Sequence, residues 1–220
     1  HIGTHTGTHI DAASHYLPDG KTIDQYPISR FVLPGVVIAV PGFADDQAIP
    51  EETISSQLND IPKGGAILIR TEWDQYWNTE RYMRHPFLTA EATQRVIDAG
   101  ASLVGIDALN VDSTVQSTDH AHRLLLGNDI LIVENLARLS ALQANQHFFL
   151  TALAPNLLAV ELVNKTAKVV PGDFPWRVQY AFFARHGFTT AAQTLAQVRA
   201  TTRQLNGLLR LTLDTLDGTD

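Results

Sequence analysis

The sequence predicts a mixed α/β domain, on three observations. Short runs of β-branched and other apolar residues alternate with stretches of helical periodicity, and no internal repeat or low-complexity segment interrupts them. Strands crowd toward the end of the chain, which calls for antiparallel pairing somewhere in the sheet. At 220 residues with 45% hydrophobic content, the chain is long enough to bury one substantial core.

Residues 36–40, 66–69, 103–106 and 130–133 are continuous apolar runs bounded by Gly, Pro or Asp, the pattern of strands covered on both faces. Helices are predicted at about 51–59, 89–99 and 118–126. The second is the best signalled: Thr89 can cap it, Glu91 sits in its first turn where the helix dipole favours an anion, and Gly100 can end it. Further strands are predicted at 148–152, 157–162 and 177–183. The tail, 189–216, reads as an amphipathic helix. Ala192, Leu195, Val198, Leu205, Leu208, Leu209 and Leu216 recur mostly three, four or seven apart, with Gly207 weakening the middle. Its apolar stripe must be covered, either by its own domain or by a second copy, and a homo-oligomer, dimer or tetramer, is expected. The chain therefore divides into a domain at 1–188 and a C-terminal helical extension at 189–220.

Sixteen Lys and Arg against 23 Asp and Glu give a formal net charge of -7. Nucleic-acid surfaces concentrate cations, so a small molecule is the expected partner and nucleic acid is not. No apolar run reaches the roughly 18 residues of a membrane span, and no charged-then-apolar leader is present, so no membrane role and a cytoplasmic setting are expected. Met83 is the only methionine, so further sequence is expected to precede His1. The absence of cysteine removes disulfides, thiolate nucleophiles and Cys-ligated zinc together. Any metal must be held by nitrogen and oxygen.

Such donors are concentrated at one end of the chain. The run His5-Thr6-Gly7-Thr8-His9-Ile10-Asp11-Ala12-Ala13-Ser14-His15 holds three imidazoles and a carboxylate within eleven residues. A divalent ion needs neutral nitrogens and anionic oxygens converging on one point, and His5, His9 and Asp11 supply three such donors from one short stretch. Gly7 lets the chain bend between them. His15 reads either as a fourth ligand, as a hydrogen-bonded surface imidazole, or as a group that titrates near neutrality and can exchange a proton.

This run resembles the signature of the cyclase family of metal-dependent hydrolases, which includes bacterial kynurenine formamidases and isatin hydrolases: His-x-Gly-Thr-His-x-Asp-x-Pro-x-His. The match is at His5, Gly7, Thr8, His9, Asp11 and His15, with Ala13 standing where the family commonly has proline. Similar segments follow in order. They are Arg70-Thr71-Glu72-Trp73 through Tyr76-Trp77, His85-Pro86-Phe87-Leu88-Thr89, and Val104-Gly105-Ile106-Asp107. Beyond these come His122-Arg123-Leu124-Leu125-Leu126 with Ile132-Val133-Glu134-Asn135-Leu136, and Gly172-Asp173-Phe174-Pro175-Trp176-Arg177-Val178.

The resemblance implies a swivelling β/β/α architecture with a mixed sheet. It implies that His122 and Glu134 complete the ligand set of His5, His9 and Asp11, around one or two divalent ions, zinc or manganese foremost. His120 competes with His122, but the matching Arg123-Leu124-Leu125 context follows His122 directly. His15 is then the proton-transferring histidine. The implied reaction is hydrolysis of an amide, formamide, lactam or lactone of a small aromatic substrate, as in the arylformamidase step of tryptophan catabolism. Alternatives are an intramolecular cyclase or lyase, or a metal-stabilised binding or scaffold protein. Trp73, Tyr76 and Trp77 form an aromatic cluster that serves either core packing or the wall of a substrate pocket, with Trp73 and Trp77 as the candidate substrate-binding residues. Asp107 and Asp112 either orient ligands or cap turns. His85, His147 and His186 have no clustered partners and read as structural or exposed.

Overall fold

The computed structural model describes residues 5, 7–59, 61–145 and 147–152, together with the backbone of two later strands, Val178–Ala184 and Leu209–Thr215. The chain divides into two compact units. The first takes the residues up to Arg30 and from Pro34 to 146; the second takes Phe31–Leu33 and the residues from His147 onward.

The first unit is built on β1 (His9–Asp11), β2 (Val32–Ala39), β4 (Ala66–Arg70), β6 (Leu103–Ile106) and β7 (Leu131–Glu134), which lie in the order β1-β7-β6-β4-β2. Neighbours from β2 through β7 run parallel, with Val36 opposite Ile67, Ile67 opposite Val104 and Val104 opposite Ile132. Parallel strands are covered on both faces, which is why these segments read as unbroken apolar runs. Val36, Ile38, Ile67, Ile69, Val104, Ile106 and Ile132 join one core with residues of α2 (Ala90–Asp98) and α3 (His120–Gly127). Gly105 in β6 leaves room for a neighbour, since a Cβ there would meet Leu68 Cδ2 at 2.5 Å and Leu136 Cδ1 at 2.6 Å. A short parallel pair, β3 (Ala48–Ile49) with β5 (Phe87–Leu88), stands apart from this sheet.

The helices follow their local signals with one difference. Thr89 caps α2 by accepting the Ala92 N–H at 3.1 Å, and Gly100 past its end takes φ +78°. α1 spans only Glu51–Ser55, not 51–59. Gln57 leaves the helical path to pair with the end of β2, accepting the Ala39 N–H and donating to the Ala39 carbonyl, each at 3.0 Å. No helix among the described residues is long and apolar enough to cross a membrane.

In the second unit, β8 (His147–Thr151) leads to Ala152, whose N–H donates to the Phe31 carbonyl at 2.8 Å. β9 (Val178–Ala184) pairs in parallel with β10 (Leu209–Thr215). The antiparallel pairing expected somewhere in the sheet is found at the start of the chain, where β1 runs against β7. The predicted C-terminal helix is also corrected over its last turns, since residues 209–215 are strand. Leu209-Arg210-Leu211-Thr212-Leu213-Asp214 alternates apolar and polar residues, a period of two that outweighs the looser helical spacing after Gly207. The predicted strand at 157–162, the rest of the tail, His1 and His186 lie outside the described residues, as does the proposed division at 188/189.

Candidate metal centre

The three-residue strand β1 is what assembles the site. Its register against β7 sets His9 opposite Glu134 and Asp11 opposite Ile132. Cross-strand partners share a face, as do residues two apart on one strand, so His9, Asp11 and Glu134 project together while Ile10 and Val133 turn the other way. His122, third residue of α3, brings its Nε2 to 3.7 Å from Asp11 Oδ2 and 3.3 Å from Glu134 Oε1. His9 Nε2 lies 3.6 Å from Asp11 Oδ1 and 3.5 Å from Glu134 Oε2. His5, in the turn before β1, places Nε2 3.1 Å from Asp11 Oδ1. The five residues expected to ligate metal therefore converge, with Asp11 at the centre.

His15 follows from the short 3-10 turn Ala13–His15 directly after β1. Its ring centroid is 4.1 Å from that of His5 and 5.9 Å from that of His122. His5 and His15 are exposed, whereas Asp11, His122 and Glu134 are buried. The cluster is closed at its carboxylate end and open to solvent at the His5–His15 end.

The donor set fits a cation on grounds internal to this structure. Asp11, Asp112 and Glu134 are buried carboxylates, and among the described residues their ion-pair partners are histidines, with no Lys or Arg. Both oxygens of Asp11 and Nε2 of His9 are buried without a hydrogen-bond partner. Leaving such groups unmet is costly, and a metal ion meets all three at once. His9 Nδ1 lies 2.8 Å from the Gly7 carbonyl, which can only accept, so the ring hydrogen sits on Nδ1 and Nε2 is free to ligate. His5, Asp11 and His15 form one grouping whose donor atoms lie within 4.8 Å of one another, and His9, Asp11 and Glu134 form another.

The electrostatics agree. Burial alone would depress His122, but the nearby carboxylates of Asp11, Asp112 and Glu134, of which Asp112 is hydrogen-bonded to the ring at 2.8 Å, overcome it and raise the imidazole to about 12. In the metal-free chain a proton on His122 balances the surrounding carboxylates. Burial pulls His15 below its ordinary 6.5 against the attraction of Asp11, so near neutral pH it is an unprotonated base.

The remaining candidates separate. His120 Nε2 donates to the Leu88 carbonyl at 2.8 Å and its Nδ1 lies 3.4 Å from Asp112 Oδ1, so it meets the carboxylate that holds His122, while His122 is the one that reaches Asp11 and Glu134. Of the two substrate-binding candidates, Trp73 is packed within the core at 2% exposure, and its indole N–H donates to the Tyr82 carbonyl at 3.2 Å. Trp77 is 50% exposed and meets the Tyr82 ring edge-on at 5.1 Å, while the Tyr82 hydroxyl donates to Asn135, the residue after Glu134, at 3.0 Å. Asp107 caps a turn. It accepts the Thr71 N–H at 2.7 Å, the Thr71 hydroxyl at 2.6 Å and the Glu72 N–H at 2.9 Å, which holds Glu72 at φ +64°. Burial pushes Asp107 up to about 6. His85 is buried between the Pro86 carbonyl and the Thr114 hydroxyl, a structural histidine.

Two neighbours of the site were not singled out from the sequence. Tyr16 stacks on His122 with centroids 4.6 Å apart, and Asn135 turns the chain after Glu134 at φ +56° while its carbonyl accepts the Thr8 hydroxyl at 2.6 Å. An aromatic directly after His15 and an Asn directly after Glu134 are the only sequence signals for them.

Comparison with known proteins agrees with this geometry. The Cyclase family model, described as "Putative cyclase", matches residues 1–113. A kynurenine formamidase of Salinibacter ruber is 33% identical over 177 residues, covering 78% of this chain and 73% of that protein. A kynurenine formamidase of Bacillus cytotoxicus is 32% identical over 136 residues, and there the chain spans 62% of the relative's length. Among solved structures, isatin hydrolase A of Labrenzia aggregata, bound to benzyl benzoate, has a TM-score of 0.59 at 29% identity, covering 66% of this chain and 65% of that one. With the family signature folded into one cluster of imidazoles and carboxylates, the chain belongs to the cyclase family of metal-dependent hydrolases.

Proposed function

We propose that this protein hydrolyses a formamide, amide, lactam or lactone bond of a small aromatic substrate, with an arylformamidase reaction on an N-formylated aromatic amine foremost and ring opening of a cyclic amide such as isatin next. The observation that carries the reading is the set of buried, unpartnered donors on His9 and Asp11, ringed by Glu134 and His122 and opening to solvent beside an unprotonated imidazole. The names of the relatives, kynurenine formamidase and isatin hydrolase, support the bond class and the aromatic substrate.

His5, His9, Asp11, His122 and Glu134 would hold one or two divalent ions, zinc or manganese. Such an ion supplies Lewis acidity, the capacity to lower the pKa of a coordinated water from about 15.7 to about 7. The chain's own residues do the rest. Asp11 and Glu134 are aimed at one space by the β1–β7 register, which fixes the donors before substrate arrives. His15 takes a proton from the attacking water and returns it to the leaving nitrogen or oxygen, a role its exposure and neutral state suit. Trp77 offers a half-exposed indole face at the side of the site bounded by Tyr82 and Asn135, suited to stacking on a planar substrate.

The grouping of His15 with His5 and Asp11 favours a second reading, in which His15 is itself a ligand. A purely structural metal site is the weaker alternative, because structural sites are closed and this one opens at His5 and His15. The proposed partners are a small-molecule substrate and further copies of this chain, in a cytoplasmic dimer or tetramer. The testing experiment is metal quantification coupled to a screen of N-formyl aromatic amines, lactams and lactones with product analysis. Free amine plus formate, or a ring-opened acid, supports the proposal; a cyclised or eliminated product points to the cyclase or lyase alternative, and no turnover with any added ion overturns catalysis.

A further inference from the structure

We propose that Asp112 is a positioning residue that fixes the tautomer and ring orientation of His122, so that Nε2 is the atom offered to a cation; this rests on the reading of the cluster as a metal centre. Asp112 is fully buried in the loop between β6 and α3. Its Oδ2 accepts the His122 backbone N–H at 2.9 Å and lies 2.8 Å from the His122 ring Nδ1. Its Oδ1 accepts the Ala121 N–H at 3.0 Å and the Thr118 hydroxyl at 3.3 Å. One carboxylate thus caps the first turn of α3 and grips the imidazole that the same turn carries, where Asp119, at the helix start, makes no side-chain cap.

The consequence is chemical. An ionised carboxylate only accepts hydrogen bonds, so the ring hydrogen of neutral His122 must sit on Nδ1. Nε2 is then left with its lone pair directed at the space between Asp11 and Glu134. Were the hydrogen on Nε2, the ring would present a donor there and could not ligate. The preceding residue acts in parallel, because the Val111 N–H donates to Glu134 Oε1 at 3.2 Å. Two consecutive loop residues therefore set both donors of the second half of the site. The loop is itself braced: Asn110 Oδ1 accepts the Asp112 N–H at 2.8 Å, and Thr118 Oγ1 accepts the Ser113 N–H at 2.8 Å.

Asp112→Asn keeps the shape but offers one acceptor oxygen in place of two and turns an N–H₂ group toward backbone donors. Zinc affinity, measured by chelator competition, is expected to fall by about 10–100-fold, the usual effect of losing the outer partner of a ligating histidine. Heteronuclear NMR of the His122 ring gives a readout that a capping role alone would not move. In cadmium-loaded wild type, the metal coupling is expected on Nε2 with the hydrogen retained on Nδ1, and in cadmium-loaded Asp112→Asn the coupling is expected to divide between the two ring nitrogens. Coupling through Nδ1 in wild type overturns the proposal even if the variant fails to fold. So does an Asp112→Asn chain that binds zinc as tightly as wild type with an unchanged tautomer. Wild type that takes up neither metal overturns the metal-centre reading itself, a result distinct from either of these.

Discussion

Replacing Glu134 by Gln removes one negative charge from the candidate metal centre while preserving its shape. Glu134 Oε1 accepts the Val111 N–H and lies 3.3 Å from His122 Nε2, its fellow candidate ligand. A unit charge pair at a separation of that size is worth about 5 kcal/mol at an effective dielectric near 20, which sets the scale of the attraction a bound cation loses when the carboxylate becomes an amide. Part of that is offset by the desolvation that the neutral amide avoids, and about 1.4 kcal/mol corresponds to a tenfold change in Kd, so roughly three orders of magnitude of cation affinity should be lost. The metal-free fold should survive, because Gln can still accept from Val111 and a buried charge is removed as His122 loses one of its carboxylate partners. Chelator-competition titration with zinc or manganese reads the affinity, and thermal unfolding without metal should move by no more than about 4 °C, roughly 1 kcal/mol in a chain of this length. A Glu134→Gln chain with wild-type cation affinity would refute the placement of Glu134 in the site.

His15→Ala should keep its metal and lose about two to four orders of magnitude in turnover. The wild-type rate should rise with pH through an apparent pKa below 6.5, in the direction that burial moves His15, and that limb should vanish in the variant; loss of metal would instead make His15 a ligand. Asp107 is raised from 3.8 to about 6, so its protonated form is favoured in the folded state and its contribution to stability grows as pH falls through 6. Measured by thermal unfolding, wild type should therefore gain about 3 kcal/mol on Asp107→Asn between pH 7 and pH below about 4, and a pH-independent difference would contradict this. Asn135→Ala should cost about 2–4 kcal/mol, combining left-handed backbone strain at φ +56° with an unmet Tyr82 hydroxyl, whereas Asn135→Gly should restore the backbone part alone.

The sheet was legible because parallel strands buried on both faces leave unbroken apolar runs, and 103–106 is observed with the bounds read from sequence. α2 was legible for a different reason: Thr89, Glu91 and Gly100 each satisfy a local requirement of a helix end. β1 was not, since His9-Ile10-Asp11 is too short for periodicity to register, although its alternation of donor, apolar residue and donor is what puts two donors on one face. α1 was overextended because Gln57 answers to the end of β2, a partner 18 positions away. The tail was read for helical spacing when residues 209–214, within the strand, also carried an alternation of apolar and polar residues.

At the site, the donors were visible as types and spacing, and the family resemblance joined His122 and Glu134 to them. Asp112 was seen only as a residue that either orients or caps. It does both, which requires knowing that the loop folds back on the first turn of α3. The Trp73–Tyr76–Trp77 cluster held two readings in the sequence, and burial divides it: Trp73 faces the core and Trp77 faces solvent.

The central claim is that the two distant halves of the sequence close on one cation. Anomalous diffraction at the zinc edge from crystals grown with zinc tests it most directly. The account predicts a peak at about 2.0–2.2 Å from imidazole nitrogen and carboxylate oxygen of the His5, His9, Asp11, His122 and Glu134 cluster. Zinc bound only elsewhere on the protein, or none bound at saturating concentration, would contradict it.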